Sequence, residues 1–436
     1  MELPLMPVAG EERSQNPIPR RLTAMERGFL RYQARNPSAS MLIGGMAMVS
    51  GEVPSIQEFR LLVRQIVTQR FPELACRLSD GPLRRAEWVS DSHLDMTSLV
   101  HERKLPDQSG EAALQAAVNE MISTSLPPER PLWRVWLVHG HASQEFALVY
   151  MGHHALHDGV AVANAVLSAL AGPGKAISGA PARRLPGNRQ TPLRTALGIS
   201  KFAREFLPLA RPGGSSGLSG KVEVVWSSTS LDRIRSIARV HDTTINAVYL
   251  AALTAVLRDW PESPWHDLAP DGNGAPLWAI IPFSTRTAAE QGKLGQRALG
   301  FRMPLPCEQS DPREQVRIIT ERIHRLMTKG RLDIAHSMSS SMPNWMGQLF
   351  FDLQFSTRHA HLIATNVPGP KTAIECLGRT VTGVVPITFL PNGHRLGAAF
   401  LTYGGQACIS FAVDARSSDK SGLVQLWSKA LDDLSV

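Results

Sequence analysis

The feature that most constrains this chain is a change of composition near its middle. Between Gly172 and Gly214 eight basic residues (Lys175, Arg183, Arg184, Arg189, Arg194, Lys201, Arg204 and Arg211) face a single acid, Glu205, so most of the net charge of +8 falls within a short stretch of the 436 residues. Gly, Pro and Ser crowd both ends of that stretch, from Gly172 to Gly187 and from Pro212 to Gly220. Such a segment reads as a crossover between two folded halves. The expected organisation is a loose tail at 1–20, a first half at 21–171, the crossover at 172–220 and a second half at 221–436.

Each half interleaves helix-like and strand-like patterns, which gives an α/β class with mixed sheets. In the first half the strands are expected at Met41–Val49, Leu132–His139 and Glu145–Met151, the last two joined as a hairpin through Gly140 to Gln144. Helices are expected at Ser55–Arg70 and Val160–Leu170. The second half offers strands at Val222–Trp226, Leu277–Ile281, Leu362–Thr365, Gly397–Tyr403 and Ala407–Val413. Its helices fall at Leu231–Val240, Ile245–Arg258, Asp311–Leu326 and Ser418–Leu434.

Within the crossover, 193–207 has the period of an amphipathic helix, with Ile199, Phe202 and Phe206 opposite Arg194, Lys201 and Arg204. It would lie on the protein's own core, or on an anionic membrane surface or lipid droplet. A cationic patch fits phospholipid head groups or coenzyme A phosphates. Nucleic acid is disfavoured, because the basic residues lack interleaved stacking aromatics beyond the two phenylalanines. No stretch reaches the run of apolar residues that a spanning helix needs. Cys76, Cys307, Cys376 and Cys408 have neither metal-site nor disulfide spacing. The expected location is the cytoplasm, with the inner membrane surface as the place of peripheral contact.

The chemistry is concentrated in His153-His154-Ala155-Leu156-His157-Asp158-Gly159. Acyl transfer to an alcohol or amine needs a base for the nucleophile's proton, and histidine is the usual choice. A carboxylate four residues on can hold the ring or lock the loop, and glycine admits a close approach. Two other readings compete. His153 and His157 have the spacing of a helical metal-ligand pair, but the segment lies at a strand-to-helix turn and lacks the intervening Glu of zinc hydrolases, so no metal is expected. A structural histidine cluster is the third reading.

The run from His153 to Gly159 resembles the signature of the bacterial wax ester synthase/diacylglycerol acyltransferase family, in the superfamily of chloramphenicol acetyltransferase and peptide-synthetase condensation domains. Further resemblances follow in order: Arg21 to Leu30, Pro131-Leu132-Trp133, Thr244 to Val248, Pro282 to Arg286, Thr365 to Pro370 and Leu401 to Gly405. The resemblance implies two chloramphenicol acetyltransferase-like halves with the active site in a tunnel between them. Acyl-CoA would be a co-substrate, with no bound cofactor. His154 would be the general base, His153 its positioning neighbour, and Asp158 a structural carboxylate paired with Arg77 or Arg286. Gly159 and Asn246 would belong to the substrate-site motifs, although Asn246 could equally help to start its helix. No acyl-enzyme is implied. The acceptor would be a fatty alcohol or a diacylglycerol, giving a wax ester or triacylglycerol. A hydroxyl or amine of a specialised metabolite, acylated even from a carrier protein, is the alternative, and a non-catalytic lipid-binding homologue is a third. This chain departs from the family pattern at Glu26, Pro127, Arg134, His157 and Ala247, the last standing where the family usually has Asp.

Overall fold

Reciprocal capping starts the first two long helices. Thr23 and Glu26 cap Ala24–Arg35, and Ser55 and Glu58 cap Ile56–Gln65, each pair exchanging side-chain and backbone hydrogen bonds. Glu26 also accepts from both terminal nitrogens of Arg20, at 2.9 and 2.7 Å. One carboxylate thus fixes the entry of the chain and the start of its helix, which gives the departure at Glu26 a structural purpose. The expected helix to Arg70 holds, except that its last turn, Ile66–Arg70, widens to a π-helix.

The computed structural model describes residues 19–166, 169, 217–269, 275–286, 290, 292–328 and 351–435. The crossover, including the amphipathic 193–207, and nearly all of the tail lie outside the described residues. Strands β1 (Arg20–Arg21), β3 (Cys76–Leu78) and β4 (Glu87–Ser90) make a small sheet in the order β1-β4-β3. One large sheet has the order β12-β13-β2-β7-β6-β5, from β12 (Glu375–Cys376), β13 (Arg379–Ile387), β2 (Leu42–Ser50), β7 (Glu145–His153), β6 (Trp133–Ala142) and β5 (Val100–Lys104). The other runs β10-β9-β11-β14-β15-β8, from β10 (Ala298–Leu305), β9 (Leu277–Ser284), β11 (Leu362–Pro368), β14 (Leu396–Tyr403), β15 (Gln406–Asp414) and β8 (Val222–Ser230). Both sheets are mixed: β5 pairs parallel with β6, and β11 runs parallel to both β9 and β14.

One strand crosses between the two expected halves. Strand β13 leaves the second half and pairs antiparallel with β2, from Thr380 opposite Ser50 to Ile387 opposite Gly44. Residues 375–387 therefore complete the sheet of the first half. The hairpin between β6 and β7 is also tighter than expected: Ala142 lies opposite Glu145, and only Ser143 and Gln144 make the turn, Gln144 at φ 55°.

Helix Ile245–Asp259 is rich in Ala and Leu and is buried from Ala247 to Leu257 apart from Ala255. It packs between Pro312–Thr328 and Lys420–Asp433 in the second core. Its N-cap is Thr244, whose hydroxyl accepts from Ala247 N at 3.2 Å. The four cysteines are free and buried. Among the described residues no single helix is long and apolar enough to cross a membrane.

Candidate active site

The run His153 to Gly159 leaves the end of β7 and turns into a helix that begins at Gly159. Asp158 is that helix's N-cap: its Oδ1 accepts from Ala161 N at 2.9 Å. Its carboxylate also accepts from Arg297 N at 2.7 Å and from Arg286 Nη1, which lies 2.9 and 2.7 Å from the two oxygens. Arg286 Nη2 donates to Gly295 O at 2.8 Å. Of the two arginines considered for Asp158, Arg286 is therefore the partner. Arg77 is overturned: it donates to Leu78 O and to Asp80, on the small sheet away from the turn.

The three histidines point to different partners. His153 Nδ1 accepts from Ala155 N at 3.0 Å, so Nε2 carries the proton and donates to Gln33 Oε1 at 2.6 Å. His157 Nε2 lies 2.6 Å from the Tyr150 hydroxyl, and Gly152 leaves room for that pair, since a Cβ there would stand 2.9 Å from both atoms. With Asp158 on Arg286, these side chains do not converge, and no group fit to hold a metal ion occurs among the described residues.

Of the three histidines, His154 is the one that lines a cavity. Its ring stacks on Phe29 with centroids 4.2 Å apart and meets the Phe389 ring edge-on at 4.9 Å. Met41 O accepts from His154 N at 2.8 Å, which ties the turn to the start of β2. Burial holds the His154 imidazole down at about 4, against the opposing pull of the hydrogen bond to its own carbonyl and of the Asp158 charge. Burial also lowers His153 to about 3 and His157 to about 4, so all three rings are neutral at pH 7.

Sequence reasoning missed Gln296. Its Nε2 donates to His157 O at 2.8 Å and to His154 O, and it lies 2.7 Å from His154 Nδ1. A carboxamide nitrogen has two hydrogens, and the two carbonyls take them. An amide nitrogen only donates, so the 2.7 Å contact places no proton on Nδ1; Gln296 holds the ring and the turn together. Asn246 is not the cap of its helix; its Oδ1 accepts from Asn366 Nδ2 at 2.9 Å. Strand β11, expected to end at Thr365, runs on through Asn366-Val367-Pro368. Gly369 follows where a Cβ would come within 2.5 Å of Thr402 O.

The cavity takes its walls from both large sheets: Ile43, Gly44 and Pro386 from the first, Ile280, Ala298 and Val367 from the second. It is mostly apolar and His154 lies in its wall, the arrangement expected of a site that brings two greasy reactants to one base.

The fold is that of the condensation-like acyltransferases. It is similar to the first condensation domain of the CDA synthetase, at a TM-score of 0.65 and 14% identity over 97% of this chain and 98% of that one. It is also similar to the wax ester synthase/diacylglycerol acyltransferase from Marinobacter aquaeolei VT8, at a TM-score of 0.66 and 21% identity over 95% and 98% of the two chains. Residues 23–206 match the wax ester synthase/diacylglycerol acyltransferase catalytic domain and residues 295–435 its C-terminal domain. The chain belongs to the wax ester synthase/diacylglycerol acyltransferase family and is an acyltransferase. A probable diacylglycerol O-acyltransferase of Mycobacterium tuberculosis H37Rv is 26% identical to it over 431 residues, covering 90% of each chain.

Proposed function

We propose that this enzyme moves a medium or long acyl chain from coenzyme A to the hydroxyl of a fatty alcohol or a diacylglycerol, with His154 as the general base. The observation that carries the reading is a neutral imidazole in the wall of an apolar cavity shared by both halves. The acceptor hydroxyl gives its proton to the unprotonated ring nitrogen of His154 as its oxygen bonds to the thioester carbon. The tetrahedral intermediate then collapses: the carbon–sulfur bond breaks, the thiolate takes the proton back from His154, and ester and free coenzyme A leave. No side chain is acylated on this route. Asp158 and Arg286 do not touch the reactants in this reading; they hold the turn that presents His154. One relative is named a probable diacylglycerol O-acyltransferase, and a condensation domain of similar fold, 12% identical, is a complex with C8-CoA.

The test is coenzyme A release from palmitoyl-CoA offered with hexadecanol, dioleoylglycerol or a small amine. Turnover with a hydroxyl acceptor is expected, and turnover only with the amine would replace this reading by the specialised-metabolite one. His154→Ala should lower kcat by about 10²-fold or more, and an unchanged rate would remove His154 from its role. In the same reading 193–207 contacts the lipid surface. Changing Arg194, Lys201 and Arg204 to Glu should abolish sedimentation with anionic liposomes.

A further inference from the structure

The cavity wall is apolar except at six residues: His154, Asp158, Gln296, Thr365, Gln354 and Thr388. The first three make up the histidine site, and the Thr365 hydroxyl donates to Ala398 O at 3.2 Å. Gln354 and Thr388 remain. They are 8% and 6% exposed, and neither has a hydrogen-bond partner among the described residues. A carboxamide and a hydroxyl in the wall of an apolar cavity are stabilised by what bonds to them there, and an occupant that displaces water must supply that bond.

Their surroundings place them one ring away from the base. Gln354 lies between Phe351, whose ring meets Phe29 at 4.7 Å, and Phe355, whose ring meets Phe389 at 5.6 Å. Phe29 and Phe389 are the two rings that pack on His154. Thr388 immediately precedes Phe389 and approaches the opposite strand with its methyl group, since a Cβ on Gly397 would stand 3.7 Å from Cγ2. On β10, Gly300 leaves the space that the Gln354 amide occupies: a Cβ there would come within 2.4 Å of Nε2.

We propose that Gln354 and Thr388 form a polar subsite that recognises a second oxygen function on the acceptor, an ester carbonyl or a further hydroxyl, and so favours partially acylated polyols over plain alkanols. The amide N–H donates to a carbonyl, and the threonine hydroxyl donates or accepts as the ligand requires. An alkanol brings only methylenes to this point and leaves both groups unbonded, which is the kind of discrimination that a hydrogen-bonding pocket achieves. The inference rests on the acyltransferase reading given above.

The experiment measures kcat/KM with palmitoyl-CoA for 1,2-dioleoylglycerol and for hexadecanol, in the unmodified enzyme, Gln354→Leu, Thr388→Val and the double variant. The ratio of the two values should fall about tenfold in Gln354→Leu and further in the double variant, with the change carried by KM for dioleoylglycerol. A ratio that stays within about twofold in all three variants overturns the subsite. Calorimetric titration of each acceptor in detergent is the second arm, and it does not depend on turnover. Tighter binding of dioleoylglycerol than of hexadecanol, with the preference lost in Gln354→Leu, supports the subsite even if neither acceptor is acylated. Equal preference in enzyme and variant overturns it. Failure of turnover with every acceptor, by contrast, defeats the proposed reaction.

Discussion

Arg286→Met tests whether the buried pair holds the turn of His154 to the second half. Arg286 and Asp158 have side chains that are 6% and 1% exposed, at 2.7 Å. The variant leaves the carboxylate with two backbone donors, Ala161 N and Arg297 N, but no counter-charge. Breaking a buried pair from one side costs on the order of 3–5 kcal/mol. Asp158→Asn strands the guanidinium instead, although Gly295 O and Lys293 O still accept from it, so its cost should fall near the lower end, about 3 kcal/mol. Removing both charges abolishes the need for either. The double variant should therefore be more stable than the sum of the singles predicts, by roughly 2 kcal/mol. Urea unfolding followed by tryptophan fluorescence gives the four corners of the cycle. The reasoning is refuted if the singles each cost less than about 1 kcal/mol and add to within about 0.5 kcal/mol.

Three further outcomes follow from distances in the same region. Gly44→Ala should leave little soluble protein, because its Cβ would stand 1.9 Å from Tyr150 O, whereas Gly45→Ala, with nothing nearer than Val385 O at 3.4 Å, should express normally; equal yields would contradict the close approach of β2 and β7. Phe29→Leu removes the ring stacked on His154 and should lower kcat roughly tenfold with little change in KM, since it loosens the base without altering the rest of the wall. Acid sensitivity has a definite sign: His153, His154 and His157 are lowered to about 3, 4 and 4, so between the ordinary histidine range near 6.5 and pH 4 the unfolded chain binds more protons. Stability should accordingly be flat above about pH 7 and fall steadily from about pH 6.5 to 4; a melting temperature independent of pH over that window would show that these rings are not held neutral.

What could be read from the sequence was local. The strand β7, the turn after it and the helix beyond are each signalled by residues that touch one another in the chain, and the interleaved patterns gave both halves of the α/β architecture. The features that escaped are those whose cause lies far away. Strand β13 was not expected because its partner is β2, more than 300 residues earlier, and a short β-branched run carries no mark of which sheet will take it. The strand expected to end at Thr365 continues through Asn366-Val367-Pro368 although Gly and Pro follow; the parallel register with β14 carries it as far as Pro368. Gln296 has no motif around it, and its importance comes from reaching two carbonyls some 140 residues away.

The departures from the family pattern were legible as departures, but their meaning was not. Ala247 replaces an acid on a face of Ile245–Asp259 that is fully buried among apolar neighbours, where an unpaired carboxylate would be costly. Its neighbour Asn246 is tied to Asn366 at the end of β11, two residues before Pro368, whose carbonyl accepts from Asn164 beyond the histidine turn. The polar link between the long helix and the site therefore runs through three asparagines and not through a charge. In an apolar cavity such a neutral link can be bonded in full without a counter-ion, which is why losing the acid at position 247 need not disturb a base that itself must remain neutral.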